Sequence, residues 1–264
     1  MPPVSVMFKA NRLLGKAVAS AVEGLIRLTG TGNARYIIRR LNKKILGRPF
    51  TVAGVEYRVD PASVGHTPQG EITGAAAAER IRRENLTGLH VLDICCGVGI
   101  VGLTLCAKLK GEGRVRKLSL LDINIFNLNS AKRTLRRNDF GDIEFQTFLS
   151  DSLKSVPEGE KFDLIVSNPP HLFTDDFTKK NLNPTTLGTF DENWRFHTDF
   201  YSVADRYLSE RGQIWLLENF QGDPGMESHF RSFVDANPRL RYAGSAAEPA
   251  DPEGNMWWVV SCRA

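Results

Sequence analysis

The chain has 264 residues, 42% of them apolar, and a net charge of +4, which suits one α/β domain with an appendage because a chain this long buries about three quarters of its unfolded surface. Its four cysteines, Cys95, Cys96, Cys106 and Cys262, lack the short paired spacings of a zinc site and do not form the framework of a small secreted domain. No apolar run reaches the roughly 20 residues a membrane-spanning helix needs, so a soluble protein in a reducing, cytoplasmic setting is expected.

Positive charge is concentrated at the start. Residues 1–50 hold Lys9, Arg12, Lys16, Arg27, Arg35, Arg39, Arg40, Lys43, Lys44 and Arg48 against the single acid Glu23. Leu14, Ala17, Val18, Ala21, Val22, Leu25 and Ile26 recur at helical spacing and predict an amphipathic helix, broken at Gly30 and Gly32. A second helix is expected near residues 33–46, ending at Gly47-Arg48-Pro49, and residues 50–59 read as a short strand or hairpin. The chain thus divides into a basic helical cap, residues 1–60, and a main domain, residues 61–264. The cap suits contact with RNA, an acidic protein or an anionic membrane surface, and an ordinary solvated helix face explains the same charges.

Gly65-His66-Thr67-Pro68-Gln69-Gly70-Glu71-Ile72-Thr73 comes next. Thr67, Gln69 and Thr73 offer hydrogen-bonding groups to a ligand, although a Pro/Gly turn capping the helix around Ala75 accounts for the same residues. From residue 89 apolar strands alternate with helices, at 89–94, 117–121, 143–148, 164–167, 213–217, 240–244 and 257–261. That alternation predicts an α/β fold with a doubly wound, mostly parallel, Rossmann-like sheet. The last two strands have no helix between them, so they are expected to form a hairpin that supplies an antiparallel edge strand.

Val91-Leu92-Asp93-Ile94-Cys95-Cys96-Gly97-Val98-Gly99 runs from a buried strand into a tight turn, where glycines let the backbone approach a ligand closely. The next strand ends in Asp122, whose carboxylate is placed to accept hydrogen bonds from the two hydroxyls of a ribose. The third leads to Ser150-Asp151-Ser152, placed to meet an adenine edge. Singly, each acid is as readily a cap or turn residue; together, Asp93, Asp122 and Asp151 suit a nucleoside lying across the carboxyl edge of the sheet.

The fourth strand runs into Ser167-Asn168-Pro169-Pro170-His171, a stiff turn that holds an amide side chain over the cleft. In this order, over about residues 60–264, these elements resemble the class I S-adenosylmethionine (SAM)-dependent methyltransferases. Asn-Pro-Pro resembles the branch, including HemK-type enzymes, that methylates planar nitrogens of adenine, guanine or glutamine.

The resemblance implies roles. Asp93, Cys95, Gly97 and Gly99 would line the methionine end of SAM; Asp122 and Ile123 would meet the ribose, Asp151 and Ser152 the adenine, with Thr67 and Thr73 as further contacts. Asn168 and the Pro169 carbonyl would accept hydrogen bonds from the target nitrogen, with Pro170 stiffening the turn. The product would be S-adenosyl-L-homocysteine, and neither a metal nor a strong base is needed. Two residues depart from the family pattern. Cys95 stands where glycine is usual, and His171 stands where an aromatic usually stacks on the acceptor; an imidazole there also moves protons near neutral pH.

Beyond this turn, residues 172–193 read as a long polar loop of the kind that forms lids, followed by a helix. Trp194 and His197 are candidate substrate contacts, while Phe196, Phe200, Val203 and Tyr207 have the spacing of a buried helix face. Glu218-Asn219 ends a strand at the same sheet edge. N-methyl transfer to a protein or nucleic acid is the leading expectation. The alternatives are a small-molecule acceptor and a non-catalytic SAM-binding or membrane-associated adaptor.

Overall fold

The computed structural model describes residues 49–60, 63, 68–175, 190–220, 223, 225–248 and 254–264. The two expected helices of the basic cap lie outside the described residues, as do Thr67 and residues 176–189 of the expected lid. The chain divides between Arg48 and Pro49, so the hairpin assigned to the cap on sequence belongs to the main unit. Its strands, β1 (Phe50–Val52) and β2 (Val55–Tyr57), turn at Ala53-Gly54, both at positive φ, the geometry that matches strand twist in a two-residue loop. Val52, Val55 and Tyr57 are buried in the main core.

The remaining elements are α1 (Pro68–Arg83), β3 (Leu89–Ile94), α2 (Ile100–Lys108), β4 (Val115–Asp122), α3 (Ile125–Leu135), β5 (Glu144–Leu149) and β6 (Phe162–Ser167). Then follow β7 (Leu172–Thr174), β8 (Phe190–Glu192), α4 (Arg195–Val203), β9 (Leu208–Asn219), α5 (Gly225–Asp235), β10 (Leu240–Ala247) and β11 (Met256–Arg263). Seven strands form one sheet in the order β10-β11-β9-β6-β3-β4-β5. All neighbours are parallel except β11, which runs antiparallel to both β9 and β10. The antiparallel strand therefore belongs to the edge pair and sits one place in from the rim.

Side chains alternate across the sheet. Val91, Leu118, Val166 and Trp215 pack on the side of α1 and α2, whereas Leu92, Ile165, Ile214 and Leu216 pack with Phe200 and Val234 of α4 and α5. Strand β9 begins five residues before the expected start at 213, because the polar run Ser209-Glu210-Arg211 hides a segment whose backbone still pairs with Phe162. The expected lid is also more ordered at its ends than its composition suggests, since β7 and β8 pair in parallel. Among the described residues no helix is long and apolar enough to cross a membrane.

Helices α1 and α2 cross at Gly74. A Cβ there would stand 2.5 Å from the Val101 carbonyl oxygen and 2.8 Å from Cβ of Thr104. Gly74→Ala is therefore expected to lower stability by about 2 kcal/mol through overpacking, read as a reduced urea midpoint at unchanged slope; an unchanged midpoint would show that the crossing yields.

Candidate active site

The chain leaves β3 for β4 and β5 on one side and returns to β6 on the other, which opens a crevice at the carboxyl ends of the central strands. A cleft of about 350 Å³ occupies this place, and its walls include Cys95, Gly97, Asp122, Asp151 and Asn168. Five sequence-predicted positions, drawn from four different strand ends, thus meet in one cavity. Ile123, Ser152 and Pro170 line it as well.

The turn after β3 is built for close approach. Cys95 and Gly97 have φ of 55° and 56°, in the left-handed region, and beyond Gly97 an added Cβ would meet nothing within 4 Å. Cys95 is thus a side chain at a position that favours glycine, which accounts for the glycine usual there in the class the sequence resembles and leaves the cysteine as the strained exception. Gly99, at φ 85°, is the N-cap of α2 and does not line the cleft.

Asp122 organises the turn. Its Oδ2 accepts the Gly97 N–H at 2.7 Å, and its Oδ1 accepts the Asn124 N–H at 2.7 Å and the Asn127 amide at 3.0 Å. Burial raises its pKa, and these three donors offset part of the rise. Asp151 is governed by ion pairs instead. Arg195 holds its carboxyl below the usual range, and Lys154 adds to this. Both cations contact Oδ2, at 2.8 and 3.0 Å, and neither contacts Oδ1.

At the β6 end, the Ser167 hydroxyl donates to the Ile94 carbonyl and ties the two central strand ends together. The next residue, Asn168, lines the cleft with a buried Oδ1 that has no hydrogen-bond partner among the described residues. A buried acceptor left unpaired costs about 1–3 kcal/mol, so this oxygen marks a place where a further donor is wanted. The Ser152 hydroxyl, also buried and without a partner among the described residues, is a second such place.

Several expected contacts lie elsewhere. Asp93 faces away from the cleft, fully buried, where its Oδ2 accepts the N–H of Gly102 at 2.8 Å and anchors α2 beneath the turn. Burial pushes its pKa up to about 8. Thr73 lies inside α1 with its hydroxyl donated to the Gln69 carbonyl at 2.7 Å, so it is a core residue. Pro169 is buried between Asn168 and Pro170 of the cleft wall.

His171 is buried too, with Nδ1 donating to the Leu217 carbonyl at 3.3 Å. Burial, aided by the charge of His197, lowers its pKa to about 4. His171 is not among the residues lining the cleft, and the lowered pKa favours a neutral ring near neutral pH.

The two expected substrate contacts lie outside the cleft lining. Trp194 packs among Phe173, His229 and Phe230 and does not line the cleft. His197 is fully buried between two carboxylates, with Nδ1 2.7 Å from Asp191 and Nε2 2.9 Å from Glu218. Asp191 also accepts the N–H groups of Phe196 and His197 at the start of α4, as a cap does.

Sequence reasoning missed Phe190, Asp191, Arg195 and Phe196, which line the cleft from β8 and α4. The available signal was an Asp five residues before Phe196 at a helix start, hidden by the polar composition of the loop.

Comparison with known proteins places this geometry. The methyltransferase small domain family matches residues 77–242. A release factor glutamine methyltransferase of Clostridium botulinum is 28% identical over 123 residues, covering 46% of this chain and 41% of the relative. A ribosomal RNA small subunit methyltransferase C of Actinobacillus pleuropneumoniae is 40% identical over 129 residues, 49% of this chain and 32% of the relative. The chain thus matches less than half the length of these curated relatives. Among solved structures, the T. thermophilus 16S rRNA N2 methyltransferase in complex with AdoMet and guanosine superimposes with a TM-score of 0.54 at 19% identity, covering 82% of this chain and 50% of that one. This last likeness concerns the fold.

Proposed function

The chain belongs to the methyltransferase small domain family, and we propose that it transfers a methyl group from SAM to an amino or amide nitrogen of a protein or RNA, releasing S-adenosyl-L-homocysteine. The observation that carries this reading is the unpartnered Asn168 Oδ1, buried in the wall of the cleft that also holds Gly97, Asp122 and Asp151. Relatives named for ribosomal RNA and for a release factor glutamine support a macromolecular acceptor.

The residues present fit the cofactor. The open cradle at Gly97 admits backbone approach, Ile123 offers an apolar wall at 65% exposure, and the cleft volume falls in the range of small-ligand sites. Asp122 is assigned to the ribose hydroxyls, Asp151 Oδ1 and Ser152 to the adenine edge, and Cys95 and Gly97 to the methionine end. When bound, SAM supplies a methyl group already activated by its sulfonium, so the protein's contribution is positioning. Asn168 Oδ1, with the Pro169 carbonyl, accepts N–H groups of the acceptor and turns the nitrogen lone pair toward the cofactor side of the cleft. The prolines keep that acceptor pair rigid.

Calorimetric titration with SAM and S-adenosyl-L-homocysteine, then tritiated methyl transfer into fractionated lysate, tests the proposal. Micromolar binding with label in RNA or protein is expected; absence of binding to both ligands overturns it. Asp122→Ala is expected to weaken SAM binding about 30-fold, the worth of charge-assisted hydrogen bonds to one carboxylate. Unchanged affinity would remove Asp122 from the ribose.

A further inference from the structure

A second concavity lies at the other end of the same sheet. A groove of about 330 Å³ is lined by Arg80, Arg211, Arg241 and Arg263, with Glu210 as the one carboxylate among its lining residues. The arginines come from three adjacent strands and α1. Arg241 is the cross-strand partner of Cys262, Cys262 is that of Gln213, and Arg211 and Arg263 adjoin these positions. Strands lie about 4.8 Å apart, so the three strand positions span roughly 10 Å.

Three of these arginines meet in one concavity without an ion pair among the described residues. Arg82, Arg114, Arg195 and Arg231 each pair with a carboxylate at 3.0 Å or less. Arg211, Arg241 and Arg263 are exposed and pair with no carboxylate among the described residues; Arg241 reaches only the Cys262 sulfur, at 3.2 Å. Arg80 is fixed over the Trp215 ring at 4.5 Å and paired with Glu84, so it forms the floor of the groove and the other three its free donors.

Guanidinium forks match phosphate oxygens in pairs of hydrogen bonds. A single small anion needs one or two such forks, whereas a strip of three unmatched ones suits successive phosphates of a chain. We propose that this groove holds the phosphodiester backbone of an RNA. Gln213 in the groove and Glu218 at the cleft end are five positions apart along the regularly paired part of β9, a rise of roughly 17 Å, a distance that a polynucleotide covers and a small molecule does not. This deepens the proposed N-methyltransferase reading and rests on it for the acceptor's identity. The groove would track the backbone while the cleft takes the nitrogen.

The test measures binding without catalysis. A fluorescein-labelled single-stranded oligoribonucleotide is titrated by anisotropy, at several salt concentrations, against the full chain and a triple variant, Arg211→Ser, Arg241→Ser and Arg263→Ser. Each neutralised phosphate of a single strand contributes about 0.7 to the slope of log affinity against log salt. The variant is expected to bind at least tenfold more weakly and to lose about 2 from that slope, with S-adenosyl-L-homocysteine affinity and the urea midpoint unchanged. Should the triple variant unfold, the three single variants carry the same comparison. Equal affinity and slope in variant and parent overturn the proposal. So does groove-dependent binding of polyglutamate with RNA binding intact, which would assign the groove to an acidic protein. Failure of the parent to bind S-adenosyl-L-homocysteine would instead count against the methyltransferase reading, leaving the groove comparison valid.

Discussion

Asn168→Ala is expected to lower the turnover of methyl transfer about 100- to 1,000-fold while the Kd for SAM changes less than about threefold. The magnitude follows from what one oriented hydrogen-bonding group at a reacting centre contributes, roughly 3–4 kcal/mol. The split follows from geometry: the buried Oδ1 has no partner among the described residues, so its removal disturbs no bond seen among them, and the proposed cofactor contacts at Gly97 and Asp122 belong to other strand ends. A folding defect is not expected, because removing an unsatisfied buried acceptor is neutral or favourable. The measurement is single-turnover methyl transfer with SAM saturating, paired with calorimetry. Turnover within a few-fold of the parent would sink the assignment, and a parallel loss of SAM affinity would move Asn168 to the cofactor side.

The sheet was legible because its strands are short apolar runs with turns between them, and β3 matches the expected bounds of 89–94. The direction of each strand-end acid was not. Asp93, Asp122 and Asp151 look alike in sequence, yet Asp93 shares the inward face of Val91 and ends beneath the turn, anchoring Gly102. Period-2 alternation along β3 carries that information, since Leu92 and Ile94 pack on the opposite side. The expected face of α4 held for Phe200, which is fully buried, whereas Phe196 reaches the cleft wall. What no local pattern reveals is convergence: Asp191, His197 and Glu218 come from β8, α4 and β9, and only the folded chain shows that the histidine meets two carboxylates rather than a substrate. The unmatched arginines are illegible for a related reason, since charge balance is a property of neighbours in space.

That convergence makes His197 the largest expected determinant of stability among the described polar groups. Burial alone would lower its pKa, but Glu218 and Asp191 more than reverse this and raise it from 6.5 to about 9. A pKa raised in the folded state means that the native protein binds more protons between those values. The stabilisation is therefore complete below about pH 6.5 and is lost as pH rises through about 9, a decline of about 3 kcal/mol at roughly 1.4 kcal/mol per pH unit. His197→Leu removes the cation and leaves two buried carboxylates facing each other, at an expected cost of about 3–5 kcal/mol near neutral pH. Urea unfolding of both proteins from pH 6 to pH 10 measures the two effects together. The parent should lose stability steadily across the upper half of that range, and the variant should start low and lack this decline. A flat parent profile would show that the imidazole is neutral between its partners. The loss would reach the cleft as well, because Asp191 caps α4 through the Phe196 and His197 N–H groups, and α4 begins with Arg195, the residue that holds Asp151. An aligned fall in SAM affinity as the parent is taken above pH 9 would therefore tie the buried histidine to the adenine end of the site through the start of one helix.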